Sequence, residues 1–240
     1  MTQFKELFTH IFHKNGLDEF IRDDTIERFY ELTHIMIATN AVMNITALTT
    51  VEKIIPLHYA DCAKVVSLIP EGARVADIGC GGGFPILPLA IIRPDLKLVG
   101  IDSTEKKIKY VQSTADRLGL HVEAISGRAE DLAKSFTHRD AYDVVVSRAV
   151  ARLNILDELC MPFVKANGNF IAMKGAAGTE ELEEAKTGIA RLGGEIILTE
   201  DYDLHTFDAS ERRTIIQIRK TTATPKEFPR AFGAIKKKPL

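Results

Sequence analysis

Cysteines, long apolar runs and net charge are all scarce in this 240-residue chain. Its three cysteines, Cys62, Cys80 and Cys160, are odd in number and far apart. That excludes a disulfide framework and a cysteine metal cluster, so no metal is expected and a reducing cytoplasm is the expected compartment. The longest apolar runs, such as Leu87–Ile92, fall far short of the roughly 20 residues a membrane-spanning helix needs. The opening segment Met1–Glu6 lacks the apolar stretch of a secretory signal. A formal charge of −2, from 31 Lys and Arg against 33 Asp and Glu, gives no sign of a nucleic-acid partner over the whole chain. What is there, 45% apolar and 27% charged residues, is the composition of a soluble globular protein with a sizeable core.

The near-zero total hides a split. The last 22 residues, Arg219–Leu240, carry seven basic side chains and one acid, which leaves residues 1–218 at a formal −8. Patterning divides the chain too. Residues 1–70 read as helical, with Leu17, Phe20, Ile21, Ile26, Phe29 and Tyr30 on one face and Asp23 or Asp24 as a cap. Pro56 suits the first turn of a further helix running to about Leu68, and Pro70-Glu71-Gly72 is a boundary turn. From residue 73, β-branched runs alternate with helical segments. Strands are expected at Arg74–Ile78, Lys97–Ile101, His121–Ile125, Asp143–Ser147, Asn169–Lys174, Glu195–Thr199 and Thr214–Arg219. Helices are expected at Phe84–Ile92, Thr104–Leu118, Leu153–Val164 and Thr179–Leu192. This is an α/β pattern with a mostly parallel seven-stranded sheet, because parallel strands need crossovers. The last two strands lack a helix between them and are expected to pair antiparallel across Glu200–Arg213. The expected division is a helical N-terminal extension over 1–70, a catalytic domain over 71–220 and a basic tail over 221–240.

The strongest chemical signal is Asp77-Ile78-Gly79-Cys80-Gly81-Gly82-Gly83-Phe84-Pro85, between a strand and a helix. Glycines there let the backbone turn with positive φ and approach a ligand. A dinucleotide fingerprint fails in both frames, at Phe84 and at Ile86, and the Lys-Ser/Thr pair of a P-loop is missing. Asp77 sits awkwardly beside a pyrophosphate but comfortably near a cationic ligand such as S-adenosylmethionine, which carries a sulfonium and an ammonium. Asp102 ends the second strand, placed to accept hydrogen bonds from a ribose diol. Gly127-Arg128-Ala129-Glu130 follows the third strand, and Ser147-Arg148-Ala149 ends the fourth. Cys80 reads as a small residue in a tight turn.

At these residues the chain resembles the bacterial 16S ribosomal RNA (guanine-N7)-methyltransferase G family, also called glucose-inhibited division protein B. The shared segments are D-x-G-x-G-G-G-F-P, I-D-S with Lys106-Lys107, R-A-E-D, S-R-A and Met173-Lys174-Gly175. The likeness extends to Asn44-Ile45-Thr46, to Leu57-His58-Tyr59-Ala60-Asp61-Cys62 and to Thr224-Pro225-Lys226-Glu227-Phe228-Pro229-Arg230. The resemblance implies a class I S-adenosylmethionine-dependent methyltransferase fold (Rossmann-like, with an antiparallel terminal strand) behind a helical extension. It implies methylation of N7 of a guanine in the 530 loop of 16S ribosomal RNA. By motif position the resemblance implies cofactor contacts at Gly79, Phe84, Ala129, Glu130 and Arg148, with Asp102 matching the ribose-binding acid of the wider class. Asp77 and Gly81 of the glycine turn complete the expected cofactor-binding set. A class I methyltransferase acting on a small molecule or protein is the alternative.

Guanine N7 carries a lone pair and no proton, so no general base is needed; positioning is what the enzyme supplies. Arg148, Lys174, His58 and Asn44 are the candidates to position the base. Each also has a plain reading: Arg148 paired with an acid such as Asp102 or Glu130, His58 a buried helix histidine, Asn44 a turn residue and Lys174 a solvated strand end. The expected partner is 16S ribosomal RNA or the 30S subunit, bound by a monomer. Arg219, Lys220, Lys226, Arg230, Lys236, Lys237 and Lys238 are expected to contact phosphates, with Phe228 and Phe232 available to stack on bases.

Overall fold

The computed structural model describes residues 1–240. Two amphipathic helices, α1 (Thr2–Lys14) and α2 (Asp23–Asn40), open the chain. The residue before α2 is Arg22, and no aspartate side chain caps the helix: Asp23 and Asp24 lie inside the first turn, where carboxylates suit the helix dipole. A second helical run starts earlier than Pro56 suggests, as α3 (Val51–Ile54). It widens to a π-turn over Ile55–Ala60 and closes as α4 (Asp61–Ala63). Proline has no N–H to continue the α ladder, and the wider turn accommodates it inside the run.

The sheet then builds in alternation: β1 (Arg74–Ile78), α5 (Ile86–Ile92), β2 (Lys97–Asp102), α6 (Glu105–Leu118), β3 (Val122–Ser126), α7 (Ala129–Leu132) and β4 (Tyr142–Arg148). It continues through α8 (Leu153–Cys160), β5 (Val164–Lys174), α9 (Gly178–Arg191), β6 (Gly194–His205) and β7 (Ser210–Lys220). The strand order is β3-β2-β1-β4-β5-β7-β6. The first five strands are parallel, and β7 runs antiparallel between β5 and β6. The strand order reverses at β1, so the crevice for a ligand lies outside the carboxyl ends of β1 and β4. Asp77 pairs with Val146 and Asp102 with Ser126, so the ends of β1 to β4 reach one edge together.

Period-two alternation splits the core. Val75, Val144, Val146 and Ile171 face the N-terminal helices, α5 and α6. Ala76, Val145, Phe170 and Ala172 face α8 and α9. Residues 1–70 share the first of these cores with the sheet. Phe8, Phe12, Phe29 and Tyr59 are fully buried there, so the early apolar stripe is packing.

The loop expected between the last two strands is instead strand. β6 and β7 run on to a short turn, and Leu204 is fully buried. The arm leans on α1: Asn15 donates to the His205 carbonyl at 2.9 Å and accepts the His205 N–H at 2.9 Å. The C-terminal segment is likewise folded against the domain. Phe228 is buried and Arg139 donates to its carbonyl at 2.8 Å, while α10 (Phe232–Lys237) buries Ile235. No helix is long and apolar enough to cross a membrane.

Candidate functional site

A cleft of about 420 Å³ opens where β1, β2, β3 and β4 end. Gly79, Gly81, Phe84, Asp102, Ala129, Glu130, Arg148 and His58, all singled out from sequence, line it together. The glycine turn is pinned to β2, since the Gly79 and Cys80 N–H groups donate to the Ile101 carbonyl at 2.8 and 3.0 Å. Gly79 has φ +76°, and a Cβ there would sit 2.4 Å from Val150. Gly81 has φ +53° with only the Gly79 carbonyl and Lys107 Nζ nearby, at 3.8 and 4.0 Å, so its bare backbone is open to a ligand. The Asp102 carboxylate accepts the Gly81 N–H at 3.0 Å and the Thr104 N–H at 2.8 Å. Two of its roughly four lone-pair positions are thus spent, and the rest suit a diol.

Arg148 is the hub of the other side. Its guanidinium donates to Asp61 Oδ2 at 2.9 Å, to the Leu57 carbonyl at 2.9 Å and to His58 Nδ1 at 2.8 Å. Its acid is therefore Asp61, in place of Asp102 or Glu130. Tyr202 also donates to Asp61, at 3.0 Å, and Arg213 lies 3.5 Å away. A guanidinium only donates, so His58 Nδ1 accepts and Nε2 carries the proton. That proton goes to the Thr46 hydroxyl, 2.8 Å away. Thr46 also accepts the Leu48 N–H at 3.0 Å, which leaves its own proton for a ligand. The His58 ring stacks on Phe84 with centroids 4.0 Å apart.

Burial, and then the Arg148 charge, push His58 down to about 3. The ring is neutral at physiological pH and gives the cleft no cation to repel a sulfonium. Burial also raises the Cys80 thiol far above its usual range, so Cys80 is not a ready nucleophile. Between pH 6.5 and 3 the unfolded chain protonates this histidine and the folded chain does not, so His58 costs stability as pH falls through that window. ¹⁵N spectra are expected to show His58 as the Nε2–H tautomer from pH 8 down to about pH 5. A titration near its ordinary value of 6.5 would contradict the burial of the ring against Arg148.

Three expected site residues stand apart. Asp77 is fully buried behind the glycine turn and does not line the cleft. One of its oxygens accepts the Ile86 N–H at 3.2 Å, the other has no partner, and burial pushes the group up to about 7. Asn44 is exposed, while its neighbours Ile45 and Thr46 form the wall. The turn itself is held by Asn40, whose Oδ1 accepts the Ile45 and Thr46 N–H groups at 2.8 and 3.1 Å. Lys174 is buried, bonded to the Ala151 carbonyl at 2.6 Å and to Glu181 at 2.8 Å. It lines an adjoining cavity of about 490 Å³ that meets the cleft at Arg148, Ala149 and Val150.

Two of the seven expected phosphate contacts are spent inside the protein. Lys220 is buried on Asp140 and the Met161 carbonyl, and Arg230 forks onto the buried Glu158 at 2.5 and 2.9 Å. Phe228 is buried too and cannot stack on a base. Arg219, Lys226, Lys236, Lys237 and Lys238 are exposed.

The sequence reading missed Thr46 and Phe232 as cleft walls, Lys107 as a nearby cation and Asp61 as the partner of Arg148. His58 and Asp61, three apart in a helical run, share a face, and that spacing was the available signal. The cleft carries both signs, Asp102 and Glu130 against Lys107, Arg128 and Arg148. Mixed charge, an open glycine backbone and a spare carboxylate fit a nucleoside that carries charges of both signs, such as S-adenosylmethionine.

A family model described as rRNA small subunit methyltransferase G matches residues 25–205. This chain belongs to that family. It is 38% identical over 241 residues to the Ribosomal RNA small subunit methyltransferase G of Oceanobacillus iheyensis, covering 98% of each chain. It is 39% identical over 239 residues to the protein of that name from Brevibacillus brevis, covering 98% of this chain and 99% of the relative. Among solved structures, M. jannaschii TYW2 in complex with AdoMet superposes with a TM-score of 0.52 at 16% identity. That match covers 67% of this chain and 74% of the other, and it shows the fold.

Proposed function

We propose that this member of the rRNA small subunit methyltransferase G family uses S-adenosylmethionine to methylate N7 of a guanine in the 530 loop of 16S ribosomal RNA. What carries the reading is the convergence of Gly79, Asp102, Glu130 and Arg148 on one cleft of a chain in this family. The bound cofactor supplies an electrophilic methyl group. The protein's part is to hold and orient. Asp102 takes the ribose, Gly81 gives close backbone approach, and the β3 end from Gly127 to Glu130 takes the adenine. The acceptor guanine enters through the adjoining cavity, where Arg148, Ala149 and Val150 form the shared wall. N7 needs no deprotonation, which agrees with a neutral His58 and a buried Cys80. Orienting the two reactants in one site contributes about 7–11 kcal/mol at best.

Residues 1–70 act as an extension that delivers Thr46, His58 and Asp61 to the catalytic domain, and 221–240 as a docked basic segment. The chain works as a monomer in the cytoplasm. Lys236, Lys237 and Lys238, with Arg219 and Lys226, hold RNA phosphates and add salt-sensitive affinity without sequence information. Replacing Lys236, Lys237 and Lys238 together by Gln is expected to weaken binding to 30S subunits. The slope of log affinity against log salt should fall by about 2–3, with cofactor affinity unchanged. An unchanged slope would remove these lysines from the interface. The reading as a whole is tested by methyl transfer from labelled S-adenosylmethionine to unmodified 30S subunits, with protein and small-molecule acceptors as controls.

A further inference from the structure

We propose that Phe232 closes the adenine end of the cofactor cleft, which makes the C-terminal helix part of the cofactor site. This rests on the reading of the cleft as the S-adenosylmethionine site. Three ring side chains line the cleft, His58, Phe84 and Phe232. His58 and Phe84 stack on each other beside Arg148, at the end of β4. Phe232 belongs to the opposite flank. The guanidinium carbon of Arg128, just past the end of β3, lies 5.4 Å from its ring centroid. Strand β3 is separated from β4 by β2 and β1.

No other aromatic ring lines that flank. The residue after Asp102 is Ser103, and the β3 end offers Gly127 and Ala129 between charged neighbours. An adenine ring held there by backbone and by Glu130 would have one face uncovered. Phe232 is half-buried, apolar and planar, and a purine stacks well on such a ring.

The ring is held firmly enough to serve. Arg230, two residues before it, forks onto the buried Glu158, and Ile235, three residues after it, is fully buried. Arg128 is itself braced by Glu130 at 2.9 Å. A segment expected from sequence to serve RNA therefore places an aromatic wall on the cleft.

Titration calorimetry with S-adenosylhomocysteine and with 5′-methylthioadenosine tests this. The second ligand keeps the adenosine and lacks the amino-acid end. Phe232→Ala is expected to weaken both by about tenfold, the scale of one base–aromatic stack. Phe232→Leu should lie between, and Phe232→Tyr should restore both to within about twofold, at an unchanged unfolding midpoint. Wild-type affinity of Phe232→Ala or, should that variant not fold, of Phe232→Leu for both ligands would overturn the proposal. So would a loss of RNA affinity alone, which would assign the ring to RNA. Absence of binding to the wild-type protein would instead overturn the reading of the cleft on which the proposal rests.

Discussion

Arg148→Ala is expected to abolish methyl transfer and to lower the unfolding free energy by about 3 kcal/mol. Asp61 is 4% exposed, and Arg148 is its closest cation. Removing one partner of a buried pair leaves the other charge uncompensated, which typically costs about 3–5 kcal/mol. The low end applies because Arg213 stays within 3.5 Å and Tyr202 still donates to the carboxylate. The same substitution frees His58 Nδ1 and the Leu57 carbonyl, so the wall that carries Thr46 loses its brace. Arg148→Gln combined with Asp61→Asn separates the two effects. The double variant should recover most of the stability measured by denaturant unfolding, yet remain inactive on 30S subunits. Recovery of activity along with stability would show that Arg148 serves the fold alone.

Asp102→Ala carries the second large effect, a loss of cofactor affinity of at least about 100-fold. Hydrogen bonds to a charged group contribute about 1.5–3 kcal/mol each, and a ribose diol would give up two. The side chain also holds the Gly81 and Thr104 N–H groups, so the glycine turn loosens with it. Asp102→Asn keeps one acceptor and the shape, and should lose less, about tenfold. Calorimetric titration with S-adenosylhomocysteine measures both. Normal affinity in the alanine variant would take Asp102 out of the site.

The strands of the parallel sheet were legible to within about two residues at most ends, because apolar β-branched runs mark strands buried on both faces. The β6–β7 arm was not, and its residues explain why. From Glu200 to Arg213 the chain is charged and polar, as an edge hairpin with one solvated face must be. Its stabilising partners, Asn15 and Lys14, lie some 190 residues away in sequence. In the site, residues anchored to strand ends were readable because the sheet edge collects them. Thr46, Asp61 and Phe232 come from outside the sheet, and only tertiary packing brings them to the cleft. Charge counting erred for a related reason. It registers Lys220 and Arg230 as free cations, whereas Asp140 and Glu158, far off in sequence, absorb them.

Buried Asp77 adds a pH signature to the free protein. Its carboxyl is pushed up to about 7, while the unfolded chain ionises near 3.8, so its contribution to stability falls as pH rises through that interval. His58 costs stability in the opposite direction, below 6.5.

Delivery of a methyl group from this cleft to guanine N7 of 16S ribosomal RNA is checked by incubating the protein with tritiated S-adenosylmethionine and unmodified 30S subunits or naked 16S RNA. The labelled RNA is then cleaved chemically at N7-methylguanine. The expected result is label in the RNA and cleavage at one guanine of the 530 loop. Label that resists cleavage, or label confined to protein or small molecules, would contradict it.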